Sequence, residues 1–345
     1  MVARTAEGTS VAALRTLLAI PLTVAVIWLA QTNGAGPTAP ADDTLPLLVT
    51  RGKAPSAALL ATAGTAGHFA TTSPRLTRSD HLRAGSITKT FIATVILQLA
   101  VEHRLKLSAH VTTYLPTLRG VGDLTVRSLL TQTSGLYDFT AATHGRIPLA
   151  PRTVAELAVS EPRTTRPGTW SYSNTNYVLL GMIIHQVTGR SYASEVRRRV
   201  IDPLHLTGTS FPGTRTTVPR PHGPDAVRLD PRTAGASGEL ISTLPDLNRF
   251  YAALLEGRLL PPAALRTMLN TRPANGHYGM GLYPEKLPCG TTVWGHNGRI
   301  AHTYVRTAAT RTGSQVVTYR TTKATLSDSA SIERRVLESE FCTST

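Results

Sequence analysis

Residues 86–105 read SITKTFIATVILQLAVEHRL, and this stretch supplies the centre from which the fold can be worked out. Apolar residues recur in it at helical spacing, with apolar side chains on most faces, namely Ile87, Phe91, Ile92, Val95, Leu99 and Leu105. We therefore predict a buried helix over residues 87–105. Ser86 and Lys89 are three residues apart, which places the hydroxyl and the amine on one face of its first turn.

A serine at a helix N-terminus has free backbone N–H groups and the positive end of the helix dipole beside it. With a base in reach, Ser86 has what an acyl-transfer nucleophile requires. Lys89 must be neutral to act as that base, and lowering its pKa from ~10.4 toward ~7 costs about 4–5 kcal/mol of desolvation. The apolar helix can supply that desolvation. Taken alone, Ser86 could equally be a helix cap.

A second motif, Tyr172-Ser173-Asn174, lies in a loop before another apolar helix. A phenol near a cationic lysine can exist partly as phenolate and relay protons. The Asn174 amide can hold Lys89 and a substrate carbonyl at once. The alternative interpretation is a turn with a packed tyrosine.

A third motif, WGHNGR over residues 294–299, is placed at the end of a predicted strand. Gly298 would let the backbone approach a ligand closely, and His296 adds a titratable group. A plain strand-end histidine is the alternative.

The segments around the buried helix predict an α+β fold with a helical insertion. Residues 47–71 resemble a helix end and two strands, residues 110–230 hold short helices without convincing strands, and residues 246–256 form a helix ended by Gly257. Late strands are predicted at 291–294, 302–308 and 314–319, followed by a helix at 332–341. We expect a sheet domain from residues 44–110 and 230–345, and a mostly helical domain from residues 111–229.

Composition excludes several classes of protein. The 345 residues are 41% apolar and 17% charged, which argues against disorder. The net charge of +15 comes without zinc-finger spacing or an RNA-binding aromatic signature, so we expect no nucleic-acid partner. No His-Glu-x-x-His pattern or phosphate-binding loop is present, and no metal or cofactor is implied. A protein facing the anionic polymers of a cell envelope would tolerate this charge.

The first residues indicate export. Leu17 to Ala30 form an uncharged apolar run, too short for a membrane span, so residues 1–41 are predicted to be a signal peptide, with an uncleaved signal anchor as the alternative. Export would make the protein secreted or extracytoplasmic. In an oxidising compartment Cys289 and Cys342 would be joined by a disulfide; two unpaired buried thiols are the alternative.

Taken together, the three motifs resemble those of the penicillin-recognising serine enzymes. The order Ser-x-x-Lys, Tyr-x-Asn and His-x-Gly is most similar to the branch of secreted serine D-alanyl-D-alanine carboxypeptidases and class C β-lactamases. The resemblance runs from about residue 44 to residues 341–342. It implies an antiparallel sheet flanked by helices, a mostly helical domain beside it, and an active site between them.

The resemblance also implies roles for the motif residues. Ser86 becomes acylated, while Lys89 and Tyr172 share the general-base and relay work. The backbone N–H groups of Ser86 and Arg299 form the oxyanion hole. His296 supplies positive charge and a hydrogen bond on the Tyr172 side.

This sequence departs from the carboxypeptidase pattern at Asn297 and Arg299, where neither usual hydroxyl is present. Arg299 could supply a cation for a substrate carboxylate, with Asn297 donating beside Gly298. If it does not, the leaving group differs from D-alanine.

Three functions remain open. The first is a carboxypeptidase acting on peptidoglycan stem peptides. The second is the same chemistry on another substrate, as an esterase, β-lactamase, D-amino-acid peptidase, transacylase or peptide cyclase. The third is a non-catalytic binding module. β-Lactams are expected covalent ligands, and a monomer is expected.

Overall fold

The computed structural model describes residues 40–213 and 229–342. The predicted signal segment lies outside them except for its last two residues. The helices are α1 (Pro40–Thr44), α2 (Pro46–Thr50), α3 (Thr88–Val101), α4 (Val111–Tyr114), α5 (Val126–Leu130), α6 (Phe139–Thr143), α7 (Pro151–Ser160), α8 (Asn174–Thr188), α9 (Tyr192–Val196), α10 (Leu244–Leu255), α11 (Pro262–Met268) and α12 (Ser329–Phe341). The strands are β1 (Ala57–Ala63), β2 (Ala66–Thr71), β3 (Leu82–Arg83), β4 (Ile241–Ser242), β5 (Tyr283–Lys286), β6 (Thr292–Ile300), β7 (Thr303–Thr310) and β8 (Gln315–Thr321).

Strands from both ends of the chain form one antiparallel sheet in the order β2-β1-β8-β7-β6-β5. The joining pair is β1 with β8, in a register that sets Ala57 against Thr321. Within residues 110–213 the only extended pairing comes from single bridges at His110 and Ser210. The predicted α+β fold, with its antiparallel sheet flanked by helices, is therefore confirmed. The division into a sheet domain and a helical domain stays a prediction.

Apolar residues cover both faces of the sheet. One face shares an apolar cluster with α3, α8 and α10, and the other shares a second cluster with α12 and α2. Helix α3 is buried almost all round, as its sequence predicts, and includes the fully buried Lys89. It ends at Val101, four residues before the predicted end, because His103 adopts a left-handed conformation with φ 57°. The amide of Arg104 then donates back to the Leu99 carbonyl at 3.0 Å, which closes the helix end.

Two predictions about strands are corrected by the structure. Strand β5 was not expected, since its sequence YPEK carries a proline and two charged residues; it lies at the sheet edge, where these are tolerated. The third motif is not at a strand end. Strand β6 continues to Ile300 because its ladder with β7 continues to the Ile300–Thr303 pair, so His296 and Gly298 lie inside a paired strand.

A disulfide joins Cys289, in the turn between β5 and β6, to Cys342, directly after α12. The two Cα atoms are 5.8 Å apart, and the bond attaches the last helix to the sheet. Over residues 40–213 and 229–342, none of the helices has the length and apolar character to cross a bilayer.

Candidate active site

The nucleophile motif lies where a 3₁₀ turn, Gly85–Ile87, leads into α3. The Lys89 Nζ donates to Ser86 Oγ at 2.9 Å. It also donates to Asn174 Oδ1 and to the backbone carbonyl of Ser237, both at 2.7 Å. The last two acceptors come from segments far away in the sequence, and they hold the amine against the serine hydroxyl.

Burial lowers the pKa of Lys89 from 10.5 to about 7, although the negative charge of Asp138 acts in the opposite direction. Desolvation penalises the ammonium form, so a large share of the amine is neutral at pH 7. A neutral amine 2.9 Å from Ser86 Oγ can accept the hydroxyl proton. The site therefore contains a base of suitable basicity in hydrogen-bond reach of a nucleophile.

Asn174, the first residue of α8, is held by both ends of its amide. Its oxygen accepts from Lys89, while its nitrogen donates to Asp138 Oδ2 at 3.0 Å and to Thr140 Oγ1 at 3.2 Å. The expectation that the amide also binds a substrate carbonyl is wrong for this geometry, because both amide hydrogens are engaged. Asn174 instead links Asp138 to Lys89, because its amide nitrogen donates to the carboxylate and its amide oxygen accepts from the amine.

Tyr172 lies against the same lysine, whose Nζ is 4.9 Å from the centre of the phenol ring. Burial raises the pKa of Tyr172 well above its ordinary value, although a hydrogen bond with Ser86 acts in the opposite direction. The idea of a partial phenolate is therefore wrong, and Tyr172 is a neutral proton donor. The two groups that were expected to share the base role divide it: Lys89 accepts the proton and Tyr172 can deliver one.

His296 faces Tyr278, and this contact corrects its expected charge. Its Nδ1 lies 2.5 Å from the Asn297 carbonyl, which can only accept, so Nδ1 carries the proton. Its Nε2 then accepts from the Tyr278 hydroxyl at 2.9 Å. Burial, followed by the charge of Lys89, lowers the pKa of His296 to about 3. His296 is a neutral, fixed ring and does not supply positive charge to the site.

The backbone of β6 passes close to the serine turn at two glycines. A Cβ on Gly298 would lie 1.9 Å from the Ala84 carbonyl oxygen and 3.2 Å from the Ser86 nitrogen. A Cβ on Gly85, whose φ is +52°, would lie 2.9 Å from the Arg299 nitrogen. Only glycines allow this approach, which sets the N–H groups of Ser86 and Arg299 on facing backbones. That placement suits an oxyanion hole.

Replacing Gly298 with alanine is expected to lower kcat/KM by about 10²–10³-fold, because the new Cβ must push the Arg299 amide away from Ser86. Displacing two packed backbones should also destabilise the fold by about 2 kcal/mol. Gly122→Ala is the matched control, since a Cβ there meets no atom within 4 Å. Steady-state kinetics and urea unfolding of both variants measure the effects. Equal activity in the two variants would contradict the assigned contact.

The side chains of Asn297 and Arg299 point toward Tyr304 on the neighbouring strand. The Arg299 guanidinium lies 5.3 Å from the Tyr304 ring centre, and Asn297 Nδ2 donates to its hydroxyl at 3.4 Å. Tyr304 belongs to the apolar cluster under α12. Asn297 is therefore engaged away from Ser86, and the expectation that it donates to a substrate carboxylate does not fit this geometry. Arg299 is exposed and also lines the space in front of Ser86.

That space, which we call the catalytic cleft, has a volume of about 510 Å³. Its lining includes Ser86, Thr140, His144, Asn174, Ser237 and Arg299. Among the described residues that line it, none carries a carboxylate. The cleft therefore presents the nucleophile with Arg299 at its rim, while the Asp138 carboxylate lies behind Asn174 and accepts a hydrogen bond from it.

Sequence reasoning missed the residues that hold the motif side chains in place. Asp138 positions Asn174, Tyr278 positions His296, and the Ser237 carbonyl receives Lys89. Gln132 accepts from the Ser173 amide at 3.1 Å and so fixes the second motif. Asp138 and Tyr278 lie within the stretches 133–138 and 278–282, which resemble the carboxypeptidases; that similarity was the available signal.

These observations agree with a known family. The family model described as Beta-lactamase matches residues 41–338, which is most of the chain. The chain belongs to the beta-lactamase family. The resemblance to penicillin-recognising serine enzymes is thus confirmed, and the protein is a serine hydrolase of this family.

Curated relatives match part of the chain. Penicillin-binding protein 4 of Amycolatopsis lactamdurans is 29% identical over 208 residues, which cover 54% of this chain and 54% of that protein. Protein flp of Staphylococcus aureus is 35% identical over 141 residues, covering 37% of this chain and 28% of that protein. The chain therefore spans about half the length, or less, of these relatives.

Solved structures match nearly all of it. A D-stereospecific amidohydrolase from Streptomyces sp. has a TM-score of 0.80 and 37% identity, covering 89% of this chain and 99% of that one. The D-amino acid amidase from Ochrobactrum anthropi SV3 has a TM-score of 0.76 and 25% identity, covering 86% of this chain and 99% of that one.

Proposed function

We propose that this beta-lactamase-family hydrolase cleaves the carboxamides of free D-amino acids, through an acyl-enzyme on Ser86. The observation that carries the chemistry is the 2.9 Å contact between Ser86 Oγ and an amine whose pKa is about 7. The choice of a D-residue is supported by the 37% identity to a D-stereospecific amidohydrolase over almost all of both chains.

In the proposed reaction, neutral Lys89 takes the proton of the Ser86 hydroxyl as Oγ attacks the amide carbonyl. The N–H groups of Ser86 and Arg299 stabilise the negative oxygen that forms. Tyr172, held protonated by its burial, gives its proton to the leaving nitrogen and regains one from the Lys89 ammonium. The C–N bond breaks and the acyl group stays on Ser86. Water then attacks the ester, and the same groups run in reverse to release the acid.

A D-alanyl-D-alanine carboxypeptidase acting on peptidoglycan stem peptides is the second candidate, and the lining of the catalytic cleft favours it. Arg299, an exposed basic residue, belongs to the lining of the cleft, and no described residue of the lining is acidic. Such a surface suits a substrate with a free carboxylate better than one with a free amine.

The experiment compares four compounds on the purified protein: D-phenylalanine amide, its L enantiomer, a diacyl-L-lysyl-D-alanyl-D-alanine peptide and a chromogenic cephalosporin. Hydrolysis of the D-amide, with the L-amide at least about 100-fold slower, supports the first candidate. Release of D-alanine as the fastest reaction supports the second. Cleavage of the cephalosporin alone would overturn both in favour of a β-lactamase. Ser86→Ala supplies the background rate for every compound.

Replacing Arg299 with alanine separates the two candidates further. With the diacyl-L-lysyl-D-alanyl-D-alanine peptide, KM is expected to rise about tenfold, because no guanidinium would be left to bind the terminal carboxylate. With D-phenylalanine amide, which has no carboxylate, KM should stay within about twofold. Arg311→Ala, an exposed arginine that does not line the cleft, is the control. An unchanged KM for the peptide would show that Arg299 does not bind the carboxylate.

We further propose that the protein is exported and monomeric and that it is acylated by β-lactams. The disulfide between Cys289 and Cys342 supports export, since such bonds persist in oxidising compartments. Cell fractionation with and without residues 1–41 tests this location.

A further inference from the structure

A second and larger cavity lies behind the wall of the catalytic cleft. Its volume is about 690 Å³, and it is an open pocket lined by α8, the start of α7, the loop after α4 and the segment 232–239. Its lining is mainly aliphatic and aromatic, with Tyr114, Leu118, Phe139, Val154, Met182 and Tyr192 as its main side chains. Cavities of this size and character are typical of sites for small organic molecules.

The segment 232–239 separates this apolar cavity from the catalytic cleft. Thr233 and Ser237 line the cleft, whereas Ala236 and Glu239 line the apolar cavity. Helix α6 is divided in the same way, with Thr140 on the cleft side and Phe139 on the other. The two spaces are distinct, and the apolar cavity contains neither Ser86 nor Lys89.

One carboxyl group is buried in this apolar lining. Glu239 is 7% exposed, and among the described residues the Tyr192 hydroxyl donates to its Oε1 at 2.7 Å. Three basic residues, Arg152, His185 and Arg232, also belong to the lining. Arg152 is paired with Glu156 at 2.8 Å and Arg232 with Asp230 at 2.6 Å. Burial accordingly raises the pKa of Glu239 to about 7. Within residues 40–213 and 229–342, no cation forms an ion pair with this carboxyl group.

We propose that the apolar cavity binds a small amphiphilic amine, with its hydrocarbon or aromatic body among Phe139, Val154 and Met182 and its ammonium group against Glu239. Burying a carboxylate without a counter-charge is unfavourable, and a ligand cation removes that penalty while the apolar lining desolvates the rest of the molecule. A ligand anion would meet Glu239 at close range. A neutral hydrocarbon would leave the carboxyl group unpaired. The unpaired carboxyl group of Glu239 therefore favours a cationic amphiphile over an anionic or neutral one.

The preference for a cation is tested with three compounds of similar shape: 4-phenylbutylamine, 4-phenylbutanol and 4-phenylbutyrate. Each is titrated into the full-length protein, and its affinity is measured by calorimetry. The amine is expected to bind at least tenfold more tightly than the alcohol, and the acid most weakly. Because the measurement needs no turnover, its outcome is independent of the proposed amidohydrolase activity. Equal affinity for the amine and the acid would overturn the proposal.

Two variants locate the site. Glu239→Gln keeps an acceptor for Tyr192 but removes the charge, so the affinity for the amine should fall about tenfold while that for the alcohol stays the same. Met182→Trp fills the apolar cavity without adding a charge and should weaken all three compounds. Glu161→Gln, an exposed acid outside the lining, is the control. Circular dichroism verifies that each variant is folded. If Glu239→Gln binds the amine as tightly as the wild type does, the assigned ammonium contact is wrong.

Discussion

Replacing Ser86 with alanine is expected to remove both covalent labelling by a fluorescent penicillin and measurable turnover, with kcat/KM falling by about 10⁴–10⁶. The hydroxyl oxygen of Ser86 is the atom that Lys89 contacts, at 2.9 Å. Without it no acyl-enzyme can form, and the remaining donors can only assist attack by water. Gel fluorescence and intact-mass spectrometry detect the covalent adduct, and steady-state kinetics measure the residual rate.

Ser160→Ala, an exposed serine at the end of α7, is the control and should label like the wild type. Two outcomes would contradict the assignment. Persistent labelling of Ser86→Ala would mean that another side chain is the nucleophile. A wild-type protein that binds penicillin reversibly without a mass increase would instead favour the non-catalytic binding module.

Replacing Lys89 with methionine is expected to lower the rate of Ser86 acylation by about 10³–10⁴-fold. Methionine fills a similar volume in the buried first turn of α3 but cannot accept a proton. The serine would then have to lose its proton to Tyr172, whose pKa is raised by burial. Stopped-flow measurement of acylation by a fluorescent penicillin gives the rate directly. Lys106→Met, an exposed lysine, is the control.

The same variant tests the protonation state of Lys89. In the wild type, kcat/KM should rise as the pH increases through about 7, because the amine becomes a base only after losing its proton. His296 should contribute no step near neutrality, since its pKa is lowered to about 3. A rise through pH 7 that survives in Lys89→Met would assign that titration to another group.

The free energy of unfolding should also increase with pH, because the native state favours the neutral form of Lys89. Between pH 7 and the unfolded pKa of ~10.4, the unfolded chain holds a proton on Lys89 that the native state has lost. The free energy of unfolding of the wild type, measured relative to Lys89→Met, should therefore increase with pH by about 1.4 kcal/mol per unit in that window. Urea unfolding at pH 7 and pH 9 measures this difference.

The local signals in the sequence were sufficient for most of the helices and strands and for the three motifs. Helix α3 was predictable because its apolar residues are dense and its length exceeds that of a strand. Strand β5 was missed because proline and charged residues are unfavourable in most strands and are tolerated only at an edge, which a linear pattern does not reveal. The extension of β6 through the third motif depended likewise on its partner strand β7.

The amino-acid sequence by itself determined the α+β fold, the Ser86–Lys89 pair and the family. Only the tertiary structure decided the charge states. The pKa of Lys89 is lowered to about 7, Tyr172 stays protonated, and His296 is neutral and hydrogen-bonded to Tyr278. It also decided that the Asn174 amide nitrogen donates to Asp138 and that Asn297 points toward Tyr304. The physical reason is that the apolar periodicity of a helix depends only on residues close together in the sequence. A pKa, by contrast, depends on burial and on charges brought close by folding, and a side chain's direction depends on the register of the strand that carries it.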